Sequence, residues 1–141
     1  MIKSILMTSL LAGIFACTAQ KTSDKEAIES AIVKFAKSGD ENDSDKLSEV
    51  LDNNYRVVMN QLFGTTVTTT VDRATYLGKI ESKEWGGDTR RVNVLMIDVN
   101  GNNAVAKVEM KGEKLTMTSY FLLVKDVDGE WKLVTDLPTI G

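Results

Sequence analysis

From residue 23 onward the apolar positions recur first at helical and then at strand spacing, giving the chain a helical front and a sheet-forming back. Ile28, Ala31, Ile32 and Phe35 fall at i, i+3, i+4 and i+7, one face of a helix that runs to Gly39. Ser23 and Glu26, three apart at the head of that run, carry the signature of a capping box. Leu47, Val50 and Leu51 repeat the helical spacing in a shorter stretch after Ser44, a residue suited to cap it. Tyr55 to Phe63 is apolar and β-branched enough for a strand, Gly64 interrupts it, and the threonine-rich Thr65 to Val71 predicts an extended return. Asp72 then caps a third helix carrying Tyr76, Leu77 and Ile80, which Gly86 and Gly87 close. From Arg90 the period is that of strands, four of them, with reversals at Asn100-Gly101, Gly112-Glu113 and Asp128-Gly129.

The turns also fix which side chains share a face. With Gly112 and Glu113 as the loop, Lys111 faces Lys114, Glu109 faces Thr116 and Lys107 faces Thr118 on the wet side. The opposite side holds Ala104, Ala106, Val108 and Met110 against Leu115, Met117, Ser119, Phe121 and Leu123, the expected core. Carried across the Asn100-Gly101 turn, the pairing puts Leu95, Ile97 and Val99 inside and leaves Val94, Met96, Val105, Tyr120 and Leu122 outside. That outer patch is more apolar surface than a monomer leaves in water, so a homodimer meeting through this face is expected. The last strand has two readings. A two-residue turn sends Val134 and Asp136 inward, whereas composition favours Trp131 and Leu133 inside with Lys132 outside, which needs a bulge or an odd-length loop.

The N-terminal segment says where the protein works. Lys3, the apolar run from Ile5 to Phe15 and the small Ala16 read as an export signal, too short to span a bilayer as a helix. Ile14-Phe15-Ala16-Cys17, with the chain's single cysteine last, resembles the lipobox of bacterial lipoproteins, although Phe15 is bulkier than the usual residue there. The resemblance implies lipidation at Cys17, a domain anchored to an envelope membrane, and exposure to the periplasm or the cell surface. Cleavage after Ala19 is the competing reading and would leave no cysteine. Residues 1–16 are thus expected to be a signal peptide, 17–23 the lipidated cysteine and its tether, and 24–141 one folded domain. Removing residues 1–16 takes away one lysine and no acid, which leaves 16 basic against 20 acidic residues and a net charge of −4. With no basic cluster either, nothing points to nucleic acid.

Asp52-Asn53-Asn54-Tyr55-Arg56-Val57-Val58-Met59-Asn60, Tyr76-Leu77-Gly78-Lys79-Ile80 ahead of Trp85-Gly86-Gly87, and the closing Asp128-Gly129-Glu130-Trp131-Lys132-Leu133-Val134 resemble one branch of a known superfamily. It is the nuclear-transport-factor-2-like superfamily, and the branch is the one called putative lumazine-binding. The resemblance covers residues 24–138. It implies an α+β, cystatin-like fold, a cone of curved antiparallel sheet closed by three helices, and a pterin-like ligand. Enzymes, binding proteins and assembly modules share this cone, so the fold alone decides little.

The chemistry present narrows the choice. No histidine occurs, which removes the commonest general base and metal ligand together. No phosphate loop or metal-ligand spacing appears, so neither cofactor nor metal is expected, and no catalytic residue is assigned. A carboxylate beside Tyr55 would act as a base only if Asp136 takes its inward register. The expected ligand site is the cone mouth, lined by Tyr55, Met59, Tyr76, Trp85, Met117 and Ser119. Each of these serves equally as packing, Trp85 as a plug and the methionines as fillers. A non-catalytic domain holding a small apolar or aromatic molecule is the reading these residues favour, and it calls for a cavity of about 300 Å³ or more beneath Trp85 and Ser119. The rival is an assembly module with a filled cone.

Overall fold

The computed structural model describes residues 22–141; the signal segment, Cys17 and most of the tether lie outside the described residues. Helices α1 (Asp24–Asp40) and α2 (Ser44–Ser48) come first, followed by strand β1 (Leu51–Asn60), a 3-10 turn (Leu62–Gly64) and β2 (Thr68–Asp72). Helix α3 (Arg73–Glu81) then leads into the meander β3 (Arg91–Asn100), β4 (Asn103–Lys111), β5 (Thr116–Lys125) and β6 (Trp131–Ile140). The strands form one sheet in the order β2-β1-β6-β5-β4-β3. The architecture is the expected α+β one, with a correction to the sheet: β1 and β6 pair in parallel, so it is mixed rather than wholly antiparallel.

Local signals explain the helix boundaries. The Ser23 hydroxyl accepts the Glu26 amide at 3.2 Å and the Glu26 carboxylate accepts the Ser23 amide at 3.1 Å, the reciprocal pair expected. Asp72 caps α3 through the Thr75 amide at 2.8 Å. For α2 the cap is Asp43 rather than Ser44, its carboxylate accepting the Lys46 amide at 3.0 Å. Leu51, expected to continue that helix, instead opens β1, because its burial against the sheet outweighs a five-residue helix with little intrinsic stability.

Register shifts, more than loop lengths, decide which side chains enter the cone. The β4–β5 connection is four residues long, with Lys111 opposite Thr116 and Glu109 opposite Thr118. The register therefore differs by two from the expected one, and an even shift keeps every side chain on its face. In β3 a bulge intervenes between Val94 and Met96. It turns Leu95 outward, half exposed, and brings Val94 inward onto the core, reversing the expected places of both. In β6 the register shifts between Leu122 and Leu123, which pair with Thr135 and Leu133. The extra residue reconciles the two readings of this strand, since Trp131 and Leu133 point inward before it and Asp136 points inward after it.

The core lies between α1 and the concave side of the sheet, where Ile28, Ile32 and Phe35 meet Phe121, Leu123 and Leu133. All are essentially inaccessible. At about 25 cal/mol per Å² this burial is the main force closing the cone. The opposite face leaves Met96, Tyr120, Leu122 and Leu137 about two-fifths or more exposed, with Leu95 beside them.

Candidate ligand-binding site

The wide end of the cone is not filled. A cavity of about 190 Å³ lies between α1, α3, β1 and the strands β4 to β6. It is smaller than the expected 300 Å³, and the physical reason is the aromatic chain beneath it. Phe35 meets Phe121 edge to face at 5.2 Å, stacks with Tyr76 at 6.2 Å and an interplanar angle of 4°, and Tyr76 in turn meets Tyr55 at 5.2 Å and Trp85 at 5.9 Å.

Met59, Tyr76, Trp85 and Met117 line the cavity, as expected of them. Tyr55 and Ser119 do not. Both point into the cone, but Tyr55 is 1% and Ser119 0% exposed, and they stand behind the wall rather than in it. Leu62, Phe63 and Leu115 complete the outer rim, and Phe63 is 73% exposed there. Phe63 and Gln61 are held at φ of 54° and 53°, left-handed backbone that side chains rarely adopt and that costs about 1 kcal/mol or more per residue.

Two charged residues that the sequence did not assign to the site stand in its wall, Arg90 and Asp136. Asp136 lies on β6 between Val57 of β1 and Phe121 of β5, and Ser119 is diagonal to it. Its Oδ1 is buried without a hydrogen-bond partner, as are the Ser119 and Tyr55 hydroxyls. Burial pushes the Asp136 carboxyl up to about 7, against the pull of the nearby Ser119 hydroxyl and the Arg90 guanidinium, which both favour ionisation. Ser119 nevertheless makes no well-directed hydrogen bond to it. Burial also raises the Tyr55 and Tyr76 hydroxyls above their ordinary value, and the Asp136 charge adds to both, so the two phenols remain neutral donors.

Arg90 is anchored from α1. Its Nε donates to Asp40 Oδ1 at 2.5 Å and its backbone amide to Asp40 Oδ2 at 2.9 Å. Its Nη2 donates to the Ala36 carbonyl at 2.8 Å, while Nη1 has only the Met110 sulfur, at 3.6 Å. No sequence signal marked Arg90, whose partner lies fifty residues earlier. Asp136 was legible only as one of two registers. Among the described residues no group of three or more His, Cys, Asp or Glu is placed to hold a metal ion.

A wider trough of about 680 Å³ runs between α1 and the start of β6, but its charges are already committed to each other. Lys34 pairs with Glu49, and Lys132 with Glu130 at 2.8 Å. The cone cavity, by contrast, has Asp136 in its wall, with Oδ1 buried and without a hydrogen-bond partner.

The model of the family described as "Putative lumazine-binding" matches residues 23–137. No functionally curated protein matches the chain. Among solved structures, an NTF2-like protein of unknown function from Shewanella baltica aligns with a TM-score of 0.72 at 17% identity, over 86% of this chain and 98% of that one. An NTF2-like protein from Cytophaga hutchinsonii aligns with a TM-score of 0.68 at 19% identity, over 85% of this chain and 100% of that one. A domain with a cystatin-like fold from Nostoc punctiforme aligns at 0.68 and 12% identity, over 86% and 80%. At these identities the likeness is one of fold.

Proposed function

The chain belongs to the family described as "Putative lumazine-binding", with an NTF2-like fold, and on that footing we propose that its cone is the binding chamber of a small, flat, largely apolar molecule. One observation carries this reading: a cavity of about 190 Å³, walled by aromatic rings and thioethers, with a carboxylate oxygen buried at its wall and unpartnered. An apolar cavity of roughly 150 Å³ takes up a single benzene ring, so this one suits a molecule of one or two fused rings. The pteridine ring system of the family's description is in that range. The rival reading, a pure assembly module with a filled cone, has no use for a cavity or for an unspent carboxylate.

The test is native mass spectrometry of the protein isolated from the membranes of its own cell. A bound mass of a few hundred daltons or less, lost in Met117→Trp, supports the reading. An empty protein that takes up no aromatic probe removes it.

A second reading rests on the same carboxyl. With its pKa near 7 and the neutral Tyr76 hydroxyl on the same cavity wall, Asp136 is suited to accept a proton from a carbon acid. Solvent deuterium exchange into a small cyclic ketone, faster above pH 7 and abolished in Asp136→Asn, would make the domain an enzyme. Unchanged exchange leaves it a binder.

Two features of context belong to the proposal. The lipobox-like Ile14-Phe15-Ala16-Cys17 supports attachment to an envelope membrane, and Cys17→Ala is then expected to move the domain to the soluble fraction. The apolar outer face of the sheet supports a homodimer.

A further inference from the structure

The mouth of the cavity has two kinds of edge. One is bonded to the body of the domain. There the Trp85 carbonyl accepts Asn42 Nδ2 at 2.7 Å, and the Trp85 amide donates to the Lys79 carbonyl at 3.0 Å. Leu115, on the same edge, is held through its neighbours. The Asp88 carboxylate accepts the Glu113 and Lys114 amides at 2.9 and 3.1 Å, and the Leu115 carbonyl accepts the Gly112 amide at 2.9 Å.

The other edge is the tip of the β1–β2 hairpin, residues 61–67. The ladder beneath it ends at Asn60 and Thr68, whose side chains bond at 2.8 Å. Beyond that pair, among the described residues, the tip hydrogen-bonds only within itself. The Gln61 amide donates to the Val67 carbonyl at 3.1 Å, and the Thr65 amide and hydroxyl donate to the Leu62 carbonyl at 3.1 and 2.9 Å. None of the seven residues is buried.

The tip also carries the wrong residues for a turn. Left-handed backbone suits Gly, Asn and Asp, yet here Gln61 and Phe63 adopt it beside Gly64. A chain that needed only to reverse would use a pair such as Asn100-Gly101, which joins β3 to β4. Phe63 moreover lines the cavity while leaving 73% of its surface in water. Strained backbone of this kind clusters at ligand clamps and switch regions, where the strain belongs to the mechanism. The tip has room to move, since even a Cβ at Gly64 would meet nothing within 4 Å.

We propose that residues 61–67 are the lid of the chamber, swinging about the Asn60–Thr68 end of the ladder to carry the Phe63 ring across the mouth toward Leu115 and Met117 when the chamber is occupied. This rests on the reading of the cone as a binding chamber and adds how the chamber closes. An occupant supplies the apolar surface that the ring otherwise lacks, so it binds the closed arrangement better than the open one, and that difference drives the swing. The bonded edge of Trp85 and Leu115 gives the lid a fixed surface to close against.

The experiment uses the full-length chain with Cys17→Ala, which removes the single native cysteine. Nitroxides are attached at Thr66→Cys on the tip and Glu113→Cys on the bonded edge, both exposed positions, and their separation is read by pulsed electron resonance. Fluorobenzene is the probe, its binding and release followed separately by fluorine NMR. Saturation with fluorobenzene is expected to add a population of shorter separation. Phe63→Ala, checked by a thermal melt, is expected to abolish that population and to make release about tenfold or more faster. An unchanged separation while fluorobenzene is bound overturns the lid and leaves the chamber. A shorter separation already present without the probe overturns the coupling to occupancy, and one that persists in Phe63→Ala overturns the role of the ring. If fluorobenzene does not bind at all, the chamber itself falls and the lid with it.

Discussion

Arg90 and Asp40 meet twice, guanidinium to carboxylate at 2.5 Å and backbone amide to carboxylate at 2.9 Å, so one aspartate at the end of α1 fixes both the side chain and the main chain at the entry to β3. A buried ion pair of this kind contributes little when compared with an apolar pair, because desolvation offsets the attraction, but removing one partner leaves a buried charge. Arg90→Met should therefore cost about 3 kcal/mol or more, read from the urea midpoint, and the double variant Arg90→Met/Asp40→Leu should recover most of it. Equal losses in the single and double variants would mean that the geometry at the main chain, not the charge, is what matters.

Asp136 makes the fold pH-dependent in a direction opposite to most carboxylates. Its folded pKa of about 7 exceeds its unfolded value of 3.8. Between those values the folded state holds a proton that the unfolded state has released, so stability falls as pH rises. The full contribution is present below about pH 4, and the loss is complete above about pH 7. At 1.36 kcal/mol per unit the change is on the order of 4 kcal/mol. Asp136→Asn should flatten this slope, seen as melting temperatures that converge with wild type near pH 4 and exceed it at pH 8. A wild-type protein equally stable at pH 5 and pH 8 would place the carboxyl in contact with water.

Gly86 holds the segment that carries Trp85 against α1. Its φ is +80°, and a Cβ there would lie 2.3 Å from the Gly39 carbonyl oxygen and 2.9 Å from Asn42 Nδ2. The same Asn42 nitrogen donates to the carbonyls of Ile80 and Trp85 at 2.9 and 2.7 Å. Gly86→Ala should thus cost about 3 kcal/mol from strain and from the displaced hydrogen bonds, and it should also alter the near-ultraviolet signal of Trp85. Gly64→Ala serves as the control, since its φ of +79° is similar but nothing lies within 4 Å.

What the sequence could express was local. The capping box at Ser23, the α3 cap at Asp72 and the inward row Ala104, Ala106, Val108 and Met110 depend on neighbours in the chain or across one turn, and each stands where the pattern placed it. What it could not express was irregular or distant. A bulge has no composition of its own, so Val94 and Leu95 exchanged faces unannounced, and only the register shift in β6 lets Trp131, Leu133 and Asp136 all face inward. The parallel β1–β6 pairing and the Arg90–Asp40 bond join segments eighty and fifty residues apart, which alternation cannot relate. The site was legible in its apolar part, since Met117 follows from face assignment and Met59, Tyr76 and Trp85 were expected at the mouth of the cone that the resemblance implies, whereas its polar part depends on a register that composition left open and on a long-range ion pair.

The bulge in β3 also separates the proposed dimer face from the core by experiment. Tyr120 lies outward between Lys107 and Leu137, its ring 5.5 Å from the Lys107 ammonium, and Leu95, Met96 and Leu122 are exposed on the same side of the sheet, with Val105 half-buried opposite Leu122. Val94, by contrast, packs inward. In sedimentation of the Cys17→Ala protein, wild type should run as a concentration-dependent dimer, and Tyr120→Glu or Leu95→Glu as a monomer with an unchanged melt, because a charge on a self-complementary face is doubled across the two-fold axis. Val94→Ala should do the reverse, lowering stability by about 1 kcal/mol and leaving association intact. A wild-type monomer at high concentration would sink the pairing, and dissociation by Val94→Ala alone would mean that the inner face, not the outer one, meets the partner.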